Sequence, residues 1–141
     1  MDNPGPFAFS LNGGAFSLAA AGVFLGDWVE NFAGILALSL QANFAYGSGG
    51  AAGGFAVYFQ TSLDQGQTPI DVFAPQFGQA SAAAVANLSG LDKAAPFAPA
   101  QQSLTDGAIQ DGVLGDRFRA VVVVTAPYAG NSALSLWGCA R

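Results

Sequence analysis

From Ile35 to Gly47 the chain alternates. Leu36, Leu38, Leu40, Ala42, Phe44 and Tyr46 fall on one side of an extended backbone, with Ala37, Ser39, Gln41, Asn43 and Ala45 on the other. A helix would scatter these side chains around its circumference, whereas a strand, with its period of two, gathers the large apolar ones on one face. The spacing predicts a long, half-buried strand, which needs a second layer to cover its apolar side.

Further stretches read the same way. Phe55, Val57, Phe59, Thr61 and Leu63 alternate with Ala56, Tyr58, Gln60 and Ser62, and Ile70, Val72 and Ala74 alternate with Asp71 and Phe73. Ala82, Ala84, Ala86 and Leu88 share one side of a strand near 82 to 88. The run "RFRAVVVVT" at 117 to 125 is apolar after Arg119, as befits a central strand covered on both faces. "SALSLWG" closes the chain at 132 to 138, and the turn "APYAGN" before it reads as a hairpin between these two strands. The glycine-rich "GSGGAAGG" at 47 to 54 reads as a flexible link pairing the strands 35–46 and 55–63. Residues 15 to 25 favour strand over helix because Phe16, Val23, Phe24 and flanking glycines outweigh their alanines. Seven or eight strands with no clear helix predict an all-β antiparallel β-sandwich, with jelly-roll wiring as one arrangement.

Two segments lack a period. Residues 1–14 carry Pro4, Gly5, Pro6, Gly13 and Gly14 around Phe7, Phe9 and Leu11, and read as an irregular arm preceding a single sandwich domain at 15–141. Residues 89–116 form one long loop, low in charge, with Leu91, Phe97 and Leu104. Long irregular stretches in compact domains are usually functional. Both segments are therefore expected to meet a partner through Phe7, Phe9, Leu11, Leu91, Phe97 and Leu104.

Composition narrows the partners. Charged residues make up only 9% of the 141-residue chain, so much of the surface is uncharged or covered. A net charge of −5, with four basic residues and no basic cluster, removes the electrostatic source of nucleic-acid binding. The most apolar run, residues 15 to 26, is too short to span a bilayer, and no basic region precedes it as in a secretory signal. A soluble protein made in the cytoplasm is the expectation.

Catalytic constellations fail for want of parts. With no histidine, Ser-His-Asp and Cys-His schemes fall away, and so do zinc sites built on histidine. Cys139 is the single cysteine and reads as an inert thiol. Asp106, Asp111 and Asp116 invite a calcium site, but their spacing matches no defined loop. Asp116 is better placed to pair with Arg117 and Arg119 at a strand entrance. The reading is of no enzyme, no metal and no cofactor.

"SLDQGQTP" at 62 to 69 matches all but the last residue of the Asp-box pattern Ser-x-Asp-x-Gly-x-Thr-Trp of sialidases. That box is a structural turn in those enzymes. Here Asp64 is suited to accept N–H bonds across the turn and Gly66 to adopt a positive φ, while the hydroxyls of Ser62 and Thr68 tie the strand ends. The stretch predicts a hairpin that fastens its own loop.

Together, "LSLQANFAYGSGG", "VYFQTSLDQGQTPIDV", "DGVLGDRFR" and "YAGNSALSLWGCAR" resemble small virion proteins of tailed bacteriophages and prophages, from about Trp28 to Arg141. In that group a Trp usually stands where this chain has Pro69. The resemblance implies a structural part of the phage head, a cement or decoration protein on the capsid exterior. Its partners would be the major capsid protein and copies of itself, a trimer before a dimer. The alternative is a tail or baseplate component, such as a carbohydrate-binding module using Trp28, Tyr46, Tyr58 or Trp137 as stacking platforms.

Overall fold

The computed structural model describes residues 5–141, and among them there are nine strands and no helix. They are β1 (Gly5–Ala8), β2 (Gly22–Leu25), β3 (Ala37–Ala45), β4 (Phe55–Ser62), β5 (Pro69–Phe73), β6 (Gln76–Phe77), β7 (Ala82–Ser89), β8 (Arg117–Val124) and β9 (Ala133–Ala140). One antiparallel sheet runs β1-β9-β3-β7 and the other β2-β8-β4-β5, with the short β6 also on β4. With β6 set aside, successive strands switch sheets at every connection except β4 to β5, which is jelly-roll wiring. The expected β-sandwich is present.

The alternating faces lie as read. Leu38, Leu40 and Phe44 of β3 and Phe55, Val57 and Phe59 of β4 are buried, and β8 is covered on both sides, with Val121 and Val122 fully buried. Phenylalanines from both layers fill the centre, with Phe9–Phe59 and Phe32–Phe118 ring centroids each 5.3 Å apart. Leu36 departs from the expectation: it precedes β3 and is exposed.

Two pairings differ from the sequence reading. Residues 35–46 and 55–63 do not pair, because β3 lies between β9 and β7 while β4 lies between β8 and β5. Nor do the strands around "APYAGN" form a hairpin, since β8 and β9 belong to opposite sheets. The two connections instead cross the sandwich side by side and bond to each other. Gly50 N–H donates to the Pro127 carbonyl and Ala129 N–H to that of Ser48, both at 2.9 Å. Tyr128 is the post they wrap. Its ring stands where side chains at Gly50 and Gly54 would be, and its hydroxyl donates to the Gly78 carbonyl at 2.7 Å. The glycines are there for close approach to an aromatic ring, and the link is built in, not slack.

The N-terminal arm is likewise corrected. Residues 1–4 of the expected arm lie outside the described residues, but Gly5–Ala8 form β1 on the edge of the first sheet, in register with β9. Phe9 is buried and Phe7 packs against the same core, with its ring 4.8 Å from Phe32. Leu11 is half-buried against that core and closes a tight turn with Gly14. Three large apolar groups within reach of an unfinished core gain more by filling it than by waiting for a partner.

Candidate functional site

The β4–β5 connection is a hairpin, and its side chains tie it as the motif predicts. Ser62 Oγ donates to Asp64 Oδ1 at 2.8 Å and accepts the Gly66 N–H at 2.8 Å. Asp64 Oδ1 accepts the Thr68 N–H at 2.7 Å. Bonds from Thr68 and then Ser62 hold the Asp64 carboxyl below its ordinary range. Gln65 and Gly66 both have positive φ, at 63° and 91°. The indole expected at position 69 arrives from elsewhere: Trp28 lies against Gly66, where an added Cβ would meet its Nε1 at 3.2 Å.

Trp28 begins a buried polar chain. The Arg119 guanidinium sits 4.6 Å from its ring centre and donates from Nε to Gln60 Oε1 at 2.9 Å. The Gln60 amide donates in turn to Asp71 Oδ1 at 2.8 Å. Gln60 is fully buried, Asp71 4% exposed and Arg119 9% exposed, and burial pushes the Arg119 pKa down. A neutral amide thus bridges an anion and a cation that do not touch, which satisfies both in a poorly solvated place.

Asp71 spends its remaining capacity on the long loop. It accepts the N–H groups of Gln102, Ser103 and Leu104 at 3.1, 2.9 and 3.2 Å. Further along, Gln110 N–H donates to the Val72 carbonyl and Gly107 N–H to that of Ala74, so the loop covers the open edge of β5. Sequence reading passed over Gln60 and Asp71 and paired Arg119 with Asp116, whereas Asp116 holds Arg117 and the Arg119 guanidinium turns to Gln60 and Trp28. Their signal becomes visible once the hairpin register is known, because Gln60 stands opposite Asp71 on one side and Arg119 on the other.

Residues 91–100 run along the surface, tied at Ala100, whose carbonyl accepts the Asp71 N–H at 3.1 Å. All ten are exposed, although only Asp92 and Lys93 carry charge. Leu91 is 75% exposed and Phe97 39%. Phe97 and Leu104 meet across a cleft of about 230 Å³ lined also by Ile70 and Asp71, and on its other side Phe97 faces Leu63. Leu91 stands apart from both clefts. Of the six expected contact residues, then, Phe97 and Leu104 come together, Leu91 is free on the same loop, and Phe7, Phe9 and Leu11 belong to the fold.

The three aspartates grouped by the calcium reading serve separate ends. Asp111 accepts from Ser89 and Gly112 N–H, Asp116 pairs with Arg117, and Asp106 lies exposed. Among the described residues no group of three or more acidic, cysteine or histidine side chains is placed to hold a metal. Of the aromatic platforms, Trp28 is capped by Arg119, Tyr46 donates to the Gly49 carbonyl, and Tyr58 is half-buried, its pKa raised by burial and by Asp71 and Asp106. Trp137 alone presents a largely open ring, 46% exposed, on the outer face of the first sheet. Comparison of the chain with protein-family models, with curated proteins and with solved structures finds no match.

Proposed function

We propose that the protein is a non-catalytic structural component of a tailed-phage particle, a cement or decoration protein seated on the capsid exterior against the major capsid protein and copies of itself. The observation that carries this reading is the exposed tract 91–100. An exposed, sparsely charged, proline-containing segment already tied to the body at Ala100 costs little entropy to dock, and its apolar groups gain by burial on another surface. The resemblance of four stretches of the sequence to small phage virion proteins suggests the setting. The virion is thus its proposed location, reached after synthesis in the host cytoplasm.

The test uses particles stripped of the protein. Wild type added back should restore full occupancy on the outer shell, visible by electron cryo-microscopy, whereas Leu91→Ser with Phe97→Ser should bind at least tenfold more weakly. Density on the tail, or full occupancy by the double variant, would refute the reading.

One observation favours a second reading, a tail or baseplate module that binds neutral sugars. Trp137 stands between Ala8 and Gln41 on a sheet whose four strands contain no charged residue. An open indole beside amide side chains suits the apolar face of a hexose. Quenching of tryptophan fluorescence by a neutral polysaccharide, lost in Trp137→Ala, would support this reading over cement.

A further inference from the structure

A sheet edge is a row of unpaired backbone donors and acceptors, and folded proteins ordinarily shorten, cover or break such rows. Three of the four edges of this sandwich follow that rule. In β1 the residues whose backbone points outward are Pro6 and Ala8, because Phe9 N–H is turned inward to the Leu136 carbonyl, and Pro6 has no N–H to offer. β5 is covered by the loop from Ala100 to Gln110. β2 is four residues long.

β7 is the exception. It has eight residues, Ala-Ala-Ala-Val-Ala-Asn-Leu-Ser, with no charge and no proline. Gly90 N–H donates to the Leu36 carbonyl on β3, so the even-numbered residues of this strand bond inward and the odd-numbered ones turn outward. Ser89, odd, confirms the parity: its N–H points away from β3 and is taken by Asp111 Oδ1 at 2.7 Å. That carboxylate closes one end of the row. Among the described residues, no hydrogen bond reaches the outward N–H or C=O groups of Ala83, Val85 and Asn87.

This open window is symmetric about Val85. We propose that β7 pairs antiparallel with β7 of a second copy of this chain, across a two-fold axis at Val85, joining two four-stranded sheets into one of eight. Val85 would then face Val85 of the second copy, and Ala83 its Asn87. Antiparallel hydrogen-bonded pairs exchange both bonds, so every open group in the window finds a partner in this register and a shift would leave some unmet. Two uncharged strands approach without repulsion, and the alanines flanking Val85 leave no bulk in the way. The axis makes the contact self-complementary, as a pair requires. The contact is two-fold, in place of the trimer expected from the sequence, and its failure would leave the capsid-docking role of residues 91–100 intact.

Sedimentation velocity of the full chain is the first measurement. Wild type is expected at twice the 14.2 kDa chain mass. Val85 is 68% exposed, so Val85→Lys should keep the strand spectrum and the unfolding midpoint of the fold while converting the species to monomer. Phe97→Ser should leave the dimer unchanged. A second variant tests register: Val85→Cys in a Cys139→Ser background should oxidise to a covalent dimer, because the paired Cα atoms stand about 5.5 Å apart, inside the range that a disulfide spans. A wild-type monomer or trimer, a dimer that survives Val85→Lys, or no covalent dimer from the Val85→Cys variant would each overturn the proposal.

Discussion

Phe7 and Gly138 stand opposite each other in register on β1 and β9, and the phenyl ring fills the space where a side chain on the glycine would stand. The edge strand is thus keyed to its neighbour by a ring over a bare backbone. Gly138→Ala should force the ring out and lower stability by about 1–3 kcal/mol, as overpacking does. Gly130, which has open space around it, is the control, and Gly130→Ala should leave the urea midpoint within error.

Phe9, which follows β1 and bonds to Leu136, tests the same edge by removal. Its side chain is 5% exposed and its ring lies 5.1 Å from Phe7 and 5.3 Å from Phe59. Phe9→Ala should cost about 3–5 kcal/mol in chemical denaturation of the isolated protein. A free arm would show no change, so this measurement separates a core strand from a docking arm without any partner present.

These residues also mark where the sequence was legible. Period-two alternation identified the faces of β3 and β4, because inward and outward positions differ in hydrophobicity along a single strand, and the unbroken apolar run of β8 marked a strand covered on both sides. Neither pattern carried information on which strand lies beside which. The connection from β3 to β4 wraps Tyr128, more than seventy residues from the glycines it touches, and no local pattern records that contact. The hairpin at Ser62, Asp64, Gly66 and Thr68 was readable because its bonds join near neighbours. The Trp28 ring beneath it and the Arg119–Gln60–Asp71 chain were not, since each needs the register of strands distant in sequence. Phe7 and Phe9 misled because prolines and glycines around them resemble a linker, although in a strand at a sheet edge Pro6 has a place.

Asp71 should prove to be the fastener of the long loop. Asp71→Ala strips the acceptor from three backbone N–H groups and from the Gln60 amide. Groups left unpaired in a buried place should cost roughly 2–3 kcal/mol in total once the loop relaxes. Limited proteolysis is the sharper readout. Cleavage within residues 91–105 should become much faster in the variant, while cleavage elsewhere keeps its wild-type rate.

Acid should loosen two turns ahead of the rest. Asp27 accepts the N–H groups of Gly13 and Asn12 at 2.9 and 3.0 Å and the Ser10 hydroxyl at 3.0 Å, and these bonds hold its pKa below the ordinary 3.8. Asp64 is lowered in the same sense by Thr68 and Ser62. A carboxyl with a lower pKa in the folded chain releases its proton more readily there than in the unfolded one. Its contribution to stability is therefore complete above the unfolded value, and it fades as pH falls through the folded value. The unfolding midpoint of wild type should drop as pH is lowered from about 5 towards 2. In Asp27→Asn with Asp64→Asn, an uncharged acceptor remains at each turn and nothing titrates at either position. The double variant should be the less stable protein at neutral pH, and its midpoint should fall less steeply in acid, so that the gap between the two closes below pH about 3. Parallel curves for the two proteins across that range would show that neither turn senses protons.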